Sequence, residues 1–310
     1  MIYTVTLNPA LDKTVEIPSF TIDSVNRITA MRTDPGGKGI NVSKVISKLG
    51  GKSIAVGILG GGTGKSILSA LESLGLESHF HFADGETRTN LKVVDPEGHT
   101  NTDINEPGLT VTGGLLDGLL EELLARLQAG DIVVLSGSLP KGAPTDTYYG
   151  WAKACQEAGA KVVLDADGEL LASGLLASPY LIKPNNHELS RLVGKTLEAP
   201  KELEEAARRL MEEHGIAKVV VSMGGEGALY ISESQTIYAE GLKVPVGSTV
   251  GAGDSVVAAL AFAEETGMGM EEAVRLSTAT GAANVMCSGT QAAEYEVIEG
   301  LLNKVVFHIL

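Results

Sequence analysis

Residues 250–254 read VGAGD, and the chain that follows carries Val256, Val257 and Leu260 at the spacing of a buried helix face. A glycine-rich turn that opens into a helix presents N–H groups with no partner inside the helix. The helix dipole adds positive potential at the same place, so the turn suits an anion. Asp254 stands in that first turn. Its carboxylate reads either as a cap for an orphan N–H or as a general base beside an anion hole. A second stretch, GILGGGTGKS at 57–66, ends in the letters of a phosphate-binding loop. Such a loop needs G-x-x-x-x-G-K-[ST]. Counting back from Gly64 puts Leu59 where the first glycine belongs, so the loop is one residue short.

The elements around these turns alternate. IYTVTL is rich in strand formers, and Val42, Val45, Ile46 and Leu49 then recur at helical spacing. SIAVGIL predicts a strand and is followed by a helix from about Lys65 to Leu74. Leu116, Leu119, Leu120, Leu123, Leu124 and Leu127 form one helix face leading into the apolar run DIVVLSG. A helix at Tyr148–Ala158 precedes KVVLD, YLIKPN is a short strand, and ELEEAARRLMEEHG feeds KVVVSMGG. Continuous apolar strands separated by helices predict a parallel sheet covered on both faces. Residues 11–33 and 86–105 break this rhythm with β-rich polar–apolar alternation. They read as a small separate sheet, either a lid over a cleft or surface hairpins.

Composition narrows the function classes. A chain of 310 residues, 44% hydrophobic and 20% charged, is an ordinary globular protein. Its net charge of −15 speaks against nucleic acid as a partner. It does not speak against an anionic substrate, because a few converging Lys and Arg in one cleft hold a phosphate. Cys155 and Cys287 lie in apolar helical patterns and read as small buried hydrophobes. The N-terminus shows no basic stretch followed by an apolar one, and no apolar run approaches the ~20 residues that span a bilayer. The expectation is a soluble, cytoplasmic protein with no membrane partner.

Four stretches in order carry a wider pattern: DPGGKGINVSKVISKLGG at 34–51, KPNNHE at 183–188, SMGGEGAL at 222–229 and GAGDS at 251–255. With them the sequence resembles the ribokinase-like carbohydrate kinases, the phosphofructokinase B family, over essentially its whole length. The resemblance implies an α/β fold, a three-layer α/β/α sandwich with a central mostly parallel sheet and a small β-sheet lid. It implies one kinase domain over 1–310, with lid strands inserted at about 11–33 and 86–105. Asp254 is then the catalytic base, and Gly251, Ala252 and Gly253 form the anion hole. ATP is held away from 57–66, which becomes an ordinary strand-to-helix turn with Lys65 on the surface.

The same resemblance distributes the remaining roles. Lys183 meets the ATP phosphates, Asn185 and Glu188 organise Mg²⁺, and Asp165 assists at the metal. Ser222, Gly224, Gly227 and Thr249 surround the nucleotide, with Asn284 and Ser288 near adenine. LNPALD resembles the branch that phosphorylates sugars already carrying a phosphate. There Asp12 bonds sugar hydroxyls, and Gly37, Lys38 and Asn41 meet the sugar and its phosphate. Arg88 and Asn90 join them, as do Ser136, Gly137 and Ser138 at a strand end. Arg27 reaches the same phosphate, from a partner's lid in a homodimer. The implied reaction is phosphoryl transfer from ATP to a ketohexose monophosphate, fructose 1-phosphate first and tagatose 6-phosphate second. A noncatalytic sugar-phosphate sensor would be expected to lose Asp254 or the glycines before it, and both are intact.

Overall fold

The apolar runs become the strands of one large sheet, seen in a computed structural model that describes residues 1–310. In chain order the first half holds β1 (Ile2–Thr6), β2 (Ala10–Glu16), β3 (Ala30–Gly36), α1 (Lys38–Lys48), β4 (Ser53–Gly60), α2 (Gly61–Ser73), β5 (Glu77–Ala83), β6 (Arg88–Asp95), β7 (Thr100–Asn105) and α3 (Gly113–Leu124). Next come β8 (Ile132–Ser136), α4 (Thr147–Glu157), β9 (Lys161–Asp165), α5 (Gly168–Leu175), β10 (Leu181–Ile182), α6 (Asn186–Val193), α7 (Pro200–His214) and β11 (Lys218–Ser222). The chain closes with β12 (Gly227–Ser232), β13 (Thr236–Glu240), α8 (Ala252–Thr266), α9 (Met270–Val285), α10 (Tyr295–Leu302) and β14 (Phe307–Ile309).

The main sheet has ten strands in the order β14-β13-β12-β11-β10-β9-β8-β1-β4-β5. From β5 to β11 all neighbours pair in parallel, and the last three strands add antiparallel. Apolar side chains of β1, β8 and β9 pack on both faces, because each face carries a helical layer. One core joins them to α3, α4, α5 and α7, the other to α1, α8, α9 and α10. The sandwich therefore has three layers.

Two excursions from this sandwich, β2–β3 and β6–β7, form a second sheet in the order β3-β2-β6-β7. Register assigns its faces. Asp12 pairs with Asn90 and Asp34, Asn90 with Asn105, Thr14 with Lys92, and Lys92 with Asp103. Because successive side chains alternate, these polar residues share one face. Val15, Met31, Leu91, Val93 and Ile104 share the other.

Two boundaries differ from expectation. The helix after β4 starts at Gly61 and not near Lys65, because Gly61 supplies a positive φ of 63° where the strand turns into the helix. YLIKPN contributes only Leu181 and Ile182 to the sheet, the prolyl segment beyond them leaving the ladder.

Candidate active site

The sequence elements converge at the C-terminal ends of β1, β8, β9 and β10, where α/β sheets bind ligands. Gly251 caps α8 in a left-handed conformation, φ 81°, which leaves the first-turn N–H groups of Gly253 and Asp254 without a backbone acceptor, while Ala252 N–H donates to Thr249 O at 3.4 Å. Asp254 makes no capping bond. Its carboxylate is 7% exposed and instead accepts a 2.8 Å hydrogen bond from Asn41 Nδ2, across from α1. The capping alternative for Asp254 therefore falls away. Asn41 is fixed in turn because Gly37, φ 113°, caps α1 at a point where a Cβ would lie 2.6 Å from Thr6 Cγ2. Only glycine lets the α1 N-terminus come this close to the end of β1. Thr6 Oγ1 then accepts the Ile40 N–H at 3.0 Å.

Charge in the cleft is arranged as a chain. Asp165, 2% exposed at the end of β9, faces Lys183 Nζ at 3.3 Å and Lys38 Nζ at 3.4 Å, one through each oxygen. Burial alone would raise its carboxyl, but the two ammonium groups outweigh that and hold it below the usual carboxylate range. Burial pushes Asp254 the other way, above the usual range, and the like charge of Asp165 pushes it further. Desolvation lowers Lys38, yet Asp165 and then Asp254 outweigh it, so Lys38 stays firmly charged. Two carboxylates are thus driven apart in proton affinity, which is how a site separates a base from a counter-ion.

Facing them is a cavity of about 440 Å³, the size of a small-molecule site. Asp12, Gly37, Lys38, Asn41, Arg88 and Asn90 line it, together with Ser136, Gly137, Ser138, Gly251 and Asp254. Asn90 Nδ2 donates to Asp12 Oδ1 at 3.0 Å. Four buried polar atoms lack partners: Asn41 Oδ1, Asn90 Oδ1, Thr290 Oγ1 and Asn284 Oδ1. The first three belong to cavity-lining residues, and Asn284 abuts Gly251, where a Cβ would lie 3.3 Å from its Nδ2. Orphaned acceptors around one cavity are what a hydroxyl-rich ligand satisfies.

The nucleotide-side residues lie beyond this cavity. Lys183 adjoins the anion turn, since a Cβ on Gly253 would lie 3.3 Å from its Nζ. Asn185 bridges to Ser222, and Gly224 and Gly227 bound the turn between β11 and β12. Asn185 and Glu188 form a capping box on α6, each accepting the other's backbone N–H at 2.8 Å. Thr249 and Ser288 are exposed on the loops flanking α8 and α9.

The chain matches the family model for pfkB family carbohydrate kinases over residues 5–296. It belongs to that family. A 1-phosphofructokinase of Xanthomonas campestris pv. campestris is 41% identical over 281 residues, covering 89% of this chain and 88% of that one. Phosphofructokinase-2 from Escherichia coli, solved with fructose-6-phosphate, superposes with a TM-score of 0.92 at 31% identity over 98% of each chain. A Thermotoga maritima ribokinase gives 0.80 at 23% identity, covering 98% of this chain and 99% of that one, a likeness of fold. The pfkB-family chain is an ATP-dependent carbohydrate kinase with the ribokinase-like α/β fold, and no helix is long and apolar enough to cross a membrane.

Three of the expected site residues of the pfkB-family chain have surroundings that the sequence did not anticipate. Each oxygen of Asp165 faces a lysine ammonium. Arg27 is exposed in the loop between β2 and β3, away from the cavity of its own chain, so a contact with the substrate phosphate would come from a second copy, as expected. The Arg88 guanidinium donates to the carbonyls of Asn8 at 2.9 Å and of Pro9 and Glu106 at 3.4 Å. A guanidinium has five N–H donors, so donors remain for a ligand while the others strap the roots of the second sheet.

Three residues escaped the sequence reading. Lys44 is buried, donates to Pro35 O at 2.9 Å and Thr290 O at 2.7 Å, and is lowered by burial to about 8. Lys92 reaches Ser248 Oγ at 3.4 Å, linking the second sheet to the loop before the anion turn. Asn8 bonds Ser138 Oγ at 3.2 Å. The signal for Lys44 was present: Lys38, Asn41 and Lys44 recur every three residues along α1.

Proposed function

We propose that this carbohydrate kinase transfers the γ-phosphoryl group of ATP to the C6 hydroxyl of fructose 1-phosphate, giving fructose 1,6-bisphosphate. The observation that carries the reading is a buried carboxylate, Asp254, at an open helix N-terminus on the wall of a cavity with orphaned amide acceptors. Kinship with the 1-phosphofructokinase of Xanthomonas campestris supports the choice of sugar.

Asp254 takes the proton of the attacking hydroxyl, its affinity raised by burial and by Asp165. N–H groups of Gly251, Ala252, Gly253 and Asp254 stabilise charge on the group in flight. Asn41 orients the base, and Asp12 and Asn90 orient the sugar. Lys38, with the remaining donors of Arg88, meets the substrate phosphate. Lys183 meets the ATP phosphates. Phosphoryl transfer depends on such positioning more than on covalent help. Glu188 fits a divalent ion, since only one of its oxygens is taken by the capping box, and Asn185 stands beside it. Bound there through water, Mg²⁺ would neutralise phosphate charge. Asp165 acts instead as the counter-ion that aligns Lys38 and Lys183.

The second sheet is inferred to act as a lid, its polar face toward the sugar. Its apolar face, with Met31 59% and Ile104 52% exposed, is inferred to pair with a second copy. Steady-state kinetics with fructose 1-phosphate, tagatose 6-phosphate, fructose 6-phosphate and fructose test the assignment. The expected result is the highest kcat/KM on fructose 1-phosphate. A higher value on tagatose 6-phosphate or fructose 6-phosphate would replace the sugar and keep the kinase. Equal efficiency on fructose would remove the phosphate contacts from the reading.

A further inference from the structure

Far along the sheet from the cleft, its outermost parallel strand brings together side chains that ligate metals. β5 is the edge strand, and alternation puts His79 and His81 on the same face. Opposite them α3 presents Glu122. Its Oε2 lies 2.5 Å from His79 Nε2 and its Oε1 lies 3.1 Å from His81 Nε2, with one ligand atom from each residue within 4.8 Å of the others. The imidazoles meet edge to face, 5.6 Å between centroids at 71°, so they converge on the carboxylate instead of stacking. Gly118, one turn before Glu122 on the same face of α3, faces His81: a Cβ there would lie 3.9 Å from the ring, in ordinary van der Waals contact. The rings are half-buried and the carboxylate is exposed, which gives an ion a path in and water a place beside it.

We propose that His79, His81 and Glu122 form a site for a divalent transition ion of the zinc class, held by two imidazole Nε2 atoms, one carboxylate oxygen and water. Two nitrogens and one oxygen suit such an ion and do not suit Mg²⁺ or Ca²⁺, which take oxygen. Ligand atoms about 2.1 Å from a tetrahedral centre stand roughly 3.4 Å apart, so the three atoms need only small side-chain shifts. Binding moves the Nε2 protons to Nδ1 or to solvent. The neighbouring cation, Arg126, has Nη2 3.5 Å from His79 Nδ1, and its exposed side chain is free to swing aside. The position carries a consequence. β5 ends at Ala83 and α3 begins at Gly113, so they are the two stems of the excursion that bears β6 and β7. An ion here is a structural clasp at the root of that hairpin.

The test uses the chelator-stripped full chain in excess Mg²⁺ without nucleotide. Zn²⁺ is titrated calorimetrically, Co²⁺ is followed by its visible absorption, and melting temperature is read with and without Zn²⁺. One equivalent of Zn²⁺ is expected to bind and to raise the melting temperature. His79→Ala and His81→Ala are expected to weaken it by at least roughly tenfold and to abolish the rise, while kinase turnover is kept as evidence of folding. Glu122→Gln, which keeps volume and hydrogen bonding, is expected to weaken binding as well. Absence of Zn²⁺ binding in the wild type would overturn the site. So would binding undiminished in His79→Ala and His81→Ala, whether it arises in the cleft or at Cys287.

Discussion

Asp254 and Asp165 are chemically the same group, and their surroundings give them opposite duties. One is buried against an amide and raised; the other is buried against two lysines and lowered. Asp254→Asn is expected to cut kcat by about 10²–10⁴-fold, the usual cost of a lost general base, with ATP binding retained. A calorimetric titration with ATP beside a turnover assay checks this, and near-normal turnover would leave Asp254 a mere structural carboxylate. Asp165→Asn makes a separate prediction about pH. The base must be ionised to act, so the acid limb of kcat/KM follows the Asp254 ionisation. Removing the like charge lowers that ionisation and leaves Lys38 and Lys183 to pull it lower still. The limb is therefore expected to move to lower pH, measurable as a profile of kcat/KM on the acid side of neutrality. A limb that stays in place would mean that Asp165 does not act on Asp254. Stability changes in a linked way. Asp165 is lowered in the fold, so its contribution is present above the ordinary carboxylate range and lost on acidification. The variant is expected to lack that loss while being less stable at neutral pH, by about 3–5 kcal/mol for a broken buried pair, reduced by the partial exposure of Lys38.

The helix following GILGGGTGKS shows why letters alone mislead. The first-turn N–H groups of α2 are already occupied: Gly62 and Thr63 donate to the carboxylate of Glu86. The chain supplies its own anion where a phosphate would otherwise sit, and Lys65 points to solvent. Lys65→Ala is therefore expected to leave the KM for ATP within about twofold, since one lost contact to a phosphate would cost more. A large rise in that KM, with the fold intact, would reopen the loop as a nucleotide site. At this scale much of the fold was legible. The periodicity around Val42 and Leu49 gave α1, and the Gly-rich turn before Val256 gave α8. β5 was missed because HFHF alternates aromatic and half-polar residues on an edge. The antiparallel strands β12, β13 and β14, which extend the sheet beyond β11, were missed as well. Pairings such as Asp165 with two lysines, or Asn41 with Asp254, join residues 127, 18 and 213 positions apart. No local spacing encodes such contacts.

Over the whole molecule, an acidic chain of net charge −15 gathers Lys38, Lys44, Arg88, Lys92 and Lys183 around one cleft. Local arrangement, not net charge, decides what binds. The apolar outer face of the second sheet makes a claim about assembly. Sedimentation is expected to give twice the chain mass at micromolar concentration, and Ile104→Glu is expected to shift it toward the single chain while lowering turnover. A single-chain mass for the wild type would remove lid pairing. Alternation in this sheet also predicts where the protein tolerates change over evolutionary time. One residue inserted within β6 would exchange Asn90 and Lys92 for Leu91 and Val93, turning a hydrophilic wall greasy and a greasy wall hydrophilic in a single step. Insertions between Glu16 and Ala30 leave the pairing untouched. Length variation should therefore accumulate in that connection and be purged from the strands on either side of it.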